Sequence, residues 1–192
     1  LYGLAKLPEQ AKLITSLKKE KFPAGKWIIN DVVQKFNAEK DLVKRKELLD
    51  DITKKIETDN NWSSLKPNLS FYNQQYLFAF VTKKDWNGFK KAMAAQTILN
   101  KDEQASVYNT AAWRIQETGK DLDFAEEFTS IATTHAKNEW QKPSGTKPGG
   151  MTAKQWRTQK ESIYAMYADT YAMVMYGLGK YKKGLQYAKD AA

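Results

Sequence analysis

Residues 164–192 read YAMYADTYAMVMYGLGKYKKGLQYAKDAA, and the spacing within this stretch decides the fold. Ala168, Tyr171, Ala172, Met175 and Tyr176 fall three and four apart, which places them on one face of a helix. Gly179 suits the left-handed residue that ends such a helix. Tyr181, Leu185, Ala188 and Ala191 then give a second helix an apolar face, expected to fold back on the first. Residues 108–136 repeat this order with Ala111, Ala112 and Ile115, then Gly119, then Phe124, Ala125, Phe128 and Ala132. Both glycines are therefore expected to mark sharp reversals between mutually buried helices.

Upstream, aromatic residues concentrate at Phe71, Tyr72, Tyr76, Phe78 and Phe80. Such a composition also suits a strand. Tyr72, Tyr76, Ala79 and Phe80 keep helical spacing, however, and no second strand candidate follows, so a helix is expected. Lys84-Asp85-Trp86 then stands where Gly179-Lys180-Tyr181 stands later, ahead of Phe89, Ala92, Met93 and Gln96, giving a third hairpin. Toward the N-terminus, Pro8 opens a helix carrying Ala11, Leu13, Ile14 and Leu17, and Phe22-Pro23-Ala24-Gly25 breaks it. A second helix spans 27–36, with Ile28, Val32, Val33 and Phe36 inward. A third reaches about Thr58, with Leu42, Val43, Leu48, Leu49, Ile52 and Ile56 as its apolar stripe. Residues 59–64 read as a loop, and Thr152 as the cap of the helix after the Pro/Gly-rich segment. The chain thus reads as all-α: an N-terminal helical section at 1–66, then stacked hairpins at 67–192 with a Pro/Gly loop at 141–151.

Composition narrows the function classes. The chain lacks cysteine, which excludes thiolate chemistry, disulfides and Cys-ligated metal within these residues. No run approaches the ~18 apolar residues of a membrane span. Leu1-Tyr2-Gly3-Leu4 carries no initiator Met, from which a trimmed piece of something longer is expected. The net charge of +9 raises the question of nucleic acid, but its distribution argues otherwise. Residues 137–192 hold 10 basic against 4 acidic side chains, in a loop and on helix surfaces, and only Arg45, Arg114 and Arg157 offer the planar fork that phosphate favours. A solvated surface is the expectation, with no nucleic-acid partner.

With the spacing laid out, the chain resembles tetratricopeptide repeats, whose period is about 34 residues. Ala172, Gly179, Tyr181 and Ala191 match that pattern, with Gly184 where it wants Ala. Ala112, Gly119, Ala125 and Ala132 match it again, although the turn from Lys120 to Phe124 carries one extra residue. Trp86 matches the aromatic after the turn in the earliest pair, where Phe89 replaces the expected Ala. Gly119 and Gly179 stand 60 residues apart rather than one period, so the repeats are degenerate. The resemblance implies a right-handed superhelix of antiparallel hairpins. A narrower likeness rests on Asn109-Thr-Ala-Ala-Trp113, Gly119-Lys-Asp-Leu-Asp-Phe-Ala125, Met151-Thr-Ala-Lys-Gln-Trp156 and Asp169-Thr-Tyr-Ala172. Together they look like the helical region of bacterial envelope thioredoxin-like proteins. That likeness implies a periplasmic or envelope setting and a non-catalytic accessory segment, whose partner would be a protein, a peptide or a thioredoxin-fold domain of the same polypeptide.

Candidate chemistry is sparse. His135 is the sole histidine, with Glu139 four residues on, and reads as a solvated or capping side chain rather than a metal ligand. The adjacent acids Asp50-Asp51, Asp102-Glu103 and Glu126-Glu127 point to different sides of a helix and form no catalytic pair by adjacency. Pro148-Gly149-Gly150 lacks phosphate-loop spacing. No catalytic residue, metal or cofactor is expected in this segment. Tyr72, Tyr76, Trp113, Tyr164, Tyr167 and Tyr171 are candidates for an aromatic groove floor, weighed against burial between repeats. Lys154, Arg157 and Lys160 form a basic margin suited to an acidic segment or carboxylate terminus. The expected function is a protein-interaction scaffold; the alternative is a helical receptor for carbohydrate or another small ligand.

Overall fold

A computed structural model describes residues 8–22, 25 and 27–192. Among them the chain is all-helical: α1 (Pro8–Lys21), α2 (Trp27–Ala38), α3 (Leu42–Thr58), a 3-10 segment (Asn60–Asn68), α4 (Leu69–Lys83), α5 (Trp86–Ala94), α6 (Lys101–Thr118), α7 (Leu122–Gln141), α8 (Ala153–Gly177) and α9 (Tyr181–Ala191). Leu1 to Leu4 and Pro23-Ala24, read above as a chain start and a helix break, lie outside the described residues. The aromatic stretch 71–81 sits in α4, where helical period prevails over strand composition. No described helix is long and apolar enough to cross a membrane. The chain divides into two compact units, one ending at Leu69 and one starting at Ser70.

In the first unit α2, α3 and the 3-10 segment share a small core of Ile29, Phe36, Leu49, Ile52, Ile56 and Trp62. The Asp41 side chain accepts from the Val43 and Lys44 backbone N–H groups, satisfying donors that an α-helix start leaves open. The Arg45 guanidinium lies 4.7 Å from the Phe36 ring centre, and the Lys55 ammonium 4.9 Å from that of Trp62. Two sequence expectations fail here. Val43 is exposed instead of joining the α3 stripe, and the loop expected over 59–64 belongs to a 3-10 segment, Asn60–Asn68, around the buried Trp62. On α1, Leu13, Ile14 and Leu17 are exposed, so apolar spacing on that helix does not translate into burial.

The second unit holds three helical hairpins, α4/α5, α6/α7 and α8/α9, and α7 packs on both α6 and α8. Each reversal uses a left-handed residue: Lys84 (φ 56°), Gly119 (φ 64°) and Gly179 (φ 71°). Gly119 and Gly179 fit that role because a side chain there crowds its own backbone. Lys84 adopts it without that freedom, while the neighbouring Asp85 caps α5 by accepting from Gly88 N–H at 2.8 Å. Thr152 caps α8 by accepting from the Gln155 backbone N–H, and its own N–H donates to the Gln155 side-chain oxygen, a cap expected from sequence. Phe89 and Phe128 are fully buried with ring centres 5.0 Å apart, and Tyr108 packs on both. Burial of each Phe ring stabilises the unit by roughly 1.5–3 kcal/mol. A second cluster joins Ala105, Ala132, Ala136, Tyr164, Tyr167 and Ala168, where alanines let α6, α7 and α8 approach.

The last helix departs from its sequence reading. Tyr181, Leu185 and Ala188 were expected to fold onto α8, yet all three are exposed. The buried face of α9 is instead Gly184 with half-buried Tyr187 and Ala191. A Cβ at Gly184 would stand 3.2 Å from the Ala172 carbonyl oxygen and 3.3 Å from Met175 Cβ, so the missing side chain sets how closely α9 approaches α8. Tyr187 then stacks on Tyr171 at 4.1 Å between ring centres. Close approach through a glycine won over burial of the larger apolar side chains.

Candidate functional site

Long-range contacts fix the register of the first helices of the three hairpins. Ser70 Oγ donates to Glu103 at 2.5 Å, and the Arg114 guanidinium lies 4.8 Å from the Phe78 ring centre. Lys160 Nζ donates to Asp102 at 2.8 Å, and Tyr167 of α8 packs in one cluster with Ala105 of α6. These pairs make α4, α6 and α8 parallel, with Phe78, Trp113 and Met173 at about one level and Phe71, Ser106 and Met166 about two turns earlier. Each helix thus repeats its outward residue at a spacing of seven, which keeps one face. Phe71 is 53% exposed, Trp113 39%, Met166 54% and Met173 41%. Asn109 lies beneath Ser106 and Trp113 on α6, 8% exposed, and its buried Oδ1 accepts no hydrogen bond among the described residues. A buried acceptor without a bond costs roughly 1–3 kcal/mol.

Of the side chains singled out in sequence, Trp113 occupies this face. Tyr72, Tyr164 and Tyr171 do not: they are 5%, 2% and 3% exposed and belong to the packing between helices, as does Tyr167. Tyr164 stacks on Trp140 at 5.3 Å and donates its hydroxyl to Asp190, while Tyr171 stacks on Tyr187. Burial and the Asp190 carboxylate together push the Tyr164 hydroxyl well above the ordinary phenol range. Tyr76 is partly buried edge-on against Phe80. Lys154 and Arg157 are exposed near the start of α8, whereas Lys160 is spent on an internal ion pair and offers no free cation to a ligand. Seven-residue spacing identifies side chains that share a face without saying which face is outside. Phe71, Met166 and Met173 were missed for that reason.

Sequence also missed a polar cluster linking α6, α7, α8 and the Pro/Gly loop. His135 Nε2 lies 2.6 Å from Asp102 Oδ1, and Lys160 Nζ donates to Asp102 at 2.8 Å and to Glu139 at 3.0 Å. Glu139 is buried and accepts from the Ser144 hydroxyl and backbone N–H, tying the loop to α7. Burial alone would raise the Asp102 and Glu139 carboxyls; hydrogen bonds from Lys160, His135 and Ser144 outweigh it and hold both below their ordinary values. Burial would lower the Lys160 ammonium, but its two carboxylate partners hold it above its ordinary value. The cavity these groups line measures about 50 Å³, against roughly 300–1,000 Å³ for a small-molecule site. Residue-by-residue satisfaction and small volume make this cluster a structural clamp. Among the described residues no group of three or more side chains is placed to hold a metal ion.

Comparison with protein-family models, curated proteins and solved structures finds no match to this chain.

Proposed function

We propose that residues 70–192 form a tetratricopeptide-like scaffold that binds a protein segment across the exposed face of α4, α6 and α8. The observation that carries this is the row of Phe71, Trp113, Met166 and Met173, exposed on three parallel helices. A folded unit that buries Phe89, Phe128 and Leu77 completely has no internal use for a Trp, a Phe and two Met on one face. Methionine adapts its shape to varied apolar partners. Sugar sites rely on flat aromatic platforms, so the methionines favour a polypeptide over a carbohydrate. The mechanism is recognition without bond-making: apolar anchors of the bound segment pack into the row. The motif likeness noted above supports a wider setting, in which the segment serves a larger thioredoxin-like protein of the bacterial envelope.

The test is to select peptides from a random library against the whole chain and measure their affinity by anisotropy. Trp113→Ala is expected to weaken selected peptides at least tenfold, and Met166→Glu likewise, the latter at a position whose exposure leaves the core intact. Peptides that bind both variants as they bind the parent would refute the proposed face.

A further inference from the structure

The second helices of the hairpins obey a positional rule that the last one leaves open. In α5 the first residue, Trp86, is covered from α7 and its preceding turn, with its ring 6.4 Å from Phe124 and its Nε1 donating to Asp121 at 3.0 Å. The fifth residue, Lys90, pairs with Glu127 of α7. In α7 the first residue, Leu122, meets Gly177 of α8, and the fifth, Glu126, pairs with Lys180 and Lys183 at the start of α9. Positions one and five of each second helix therefore face the hairpin that follows. In α9 these positions are Tyr181 and Leu185, apolar and exposed at 62% and 59%, with Ala188 one turn on and Tyr176 edge-on to Tyr181. Among the described residues no other element covers this apolar face, and a contiguous exposed apolar patch marks an interaction site.

We infer that the α9 face docks an amphipathic α-helix of a partner polypeptide, apolar along one stripe and acidic along one flank. The apolar part follows from Tyr181, Leu185 and Ala188. The acidic part follows from Lys182 and Lys189, which border that stripe on one side, are exposed, and have no ion pair among the described residues. The earlier steps use the same complementarity, Lys90 to Glu127 and Glu126 to Lys180 and Lys183. A second copy of this chain fits poorly. Two α9 faces would oppose lysine to lysine, and the exposed apolar residues of α1 lie among Lys12, Lys18, Lys19 and Lys21. With a net charge of +9, like charges would have to be brought together.

Fluorescence anisotropy of the intact chain with a synthetic labelled helix tests this, using leucines at helical spacing and glutamates along one flank. A matched helix with lysines in place of the glutamates is the control. The glutamate helix is expected to bind at least tenfold tighter than the lysine helix. Leu185→Glu and Tyr181→Glu should each weaken it tenfold or more with circular dichroism unchanged, and Trp113→Ala should leave it within twofold. Equal binding of both helices, or full binding by Leu185→Glu, would overturn the inference. So would a dimer in sedimentation that Leu185→Glu dissolves, since a second copy would then occupy the face. Loss through Trp113→Ala alone would also overturn it, placing the helix on the α4/α6/α8 row.

Discussion

Replacing Lys160 with methionine removes the cation that Asp102 and Glu139 share while keeping most of the side-chain volume. The two carboxylates will not suffer equally. The Asp102 side chain is 58% exposed and regains water, so its share is small. The Glu139 side chain is 9% exposed and keeps only the bonds from Ser144. Removing one partner of a buried pair costs roughly 3–5 kcal/mol, and the surviving Ser144 bonds point to the lower end, about 3 kcal/mol. For a chain of this size that corresponds to a fall in melting temperature of roughly 6–12 °C. The pH dependence follows from the directions of the shifts. Depressed carboxyls stabilise the parent above their unfolded values, about 4, and that contribution is lost as pH falls through their folded values. The raised Lys160 contributes fully below its unfolded value, about 10.4, and is lost as pH rises through its folded one. In Lys160→Met a buried Glu139 without its cation favours protonation, so acid relieves the variant while it weakens the parent. Urea unfolding followed by circular dichroism should therefore show the largest difference near pH 7 and a smaller one near pH 4. A difference below about 1 kcal/mol at pH 7, or one that stays constant with pH, would refute the idea that Lys160 holds a buried carboxylate in place.

Three further outcomes are expected. Phe128→Ala should cost roughly 3–5 kcal/mol in urea unfolding, because a fully buried ring between Phe89, Tyr108 and Phe124 leaves a cavity. Gly119→Ala and Gly179→Ala should each cost about 1–2 kcal/mol from left-handed backbone alone, since a Cβ at either site meets nothing within 4 Å; Gly119→Asn should cost less, because Asn visits that region more readily. Gly184→Leu should lower the melting temperature and loosen α9, read as faster proteolysis after Lys180 to Lys189, because the added side chain meets Ala172 and Met175.

Much of the helical architecture was legible from local rules. Apolar periodicity placed α6 to α9, Gly119 and Gly179 marked two reversals, and Thr152 marked a cap. Lys84 hid its left-handed turn because lysine carries no such signal, and only its position before Asp85-Trp86 hinted at it. Orientation was harder to read. On α9 two faces competed, and Gly184 won by allowing close approach, an effect invisible in a count of apolar residues. The tyrosines of α8 satisfied the groove pattern and the core pattern equally, and Trp140, Asp190 and Tyr187 decided for the core. The Asp102–His135–Lys160–Glu139 clamp joins residues up to 58 apart, so no local spacing announces it.

The five methionines offer the most direct test of a binding face on α4, α6 and α8. Met166 and Met173 lie on it, Met93 and Met175 are buried, and Met151 sits in the Pro/Gly loop. In methyl-labelled NMR spectra, a peptide selected against the whole chain should shift the Met166 and Met173 methyl signals and leave those of Met93, Met151 and Met175 in place. Saturating peptide that shifts only Met151, or no methionine at all, would contradict it.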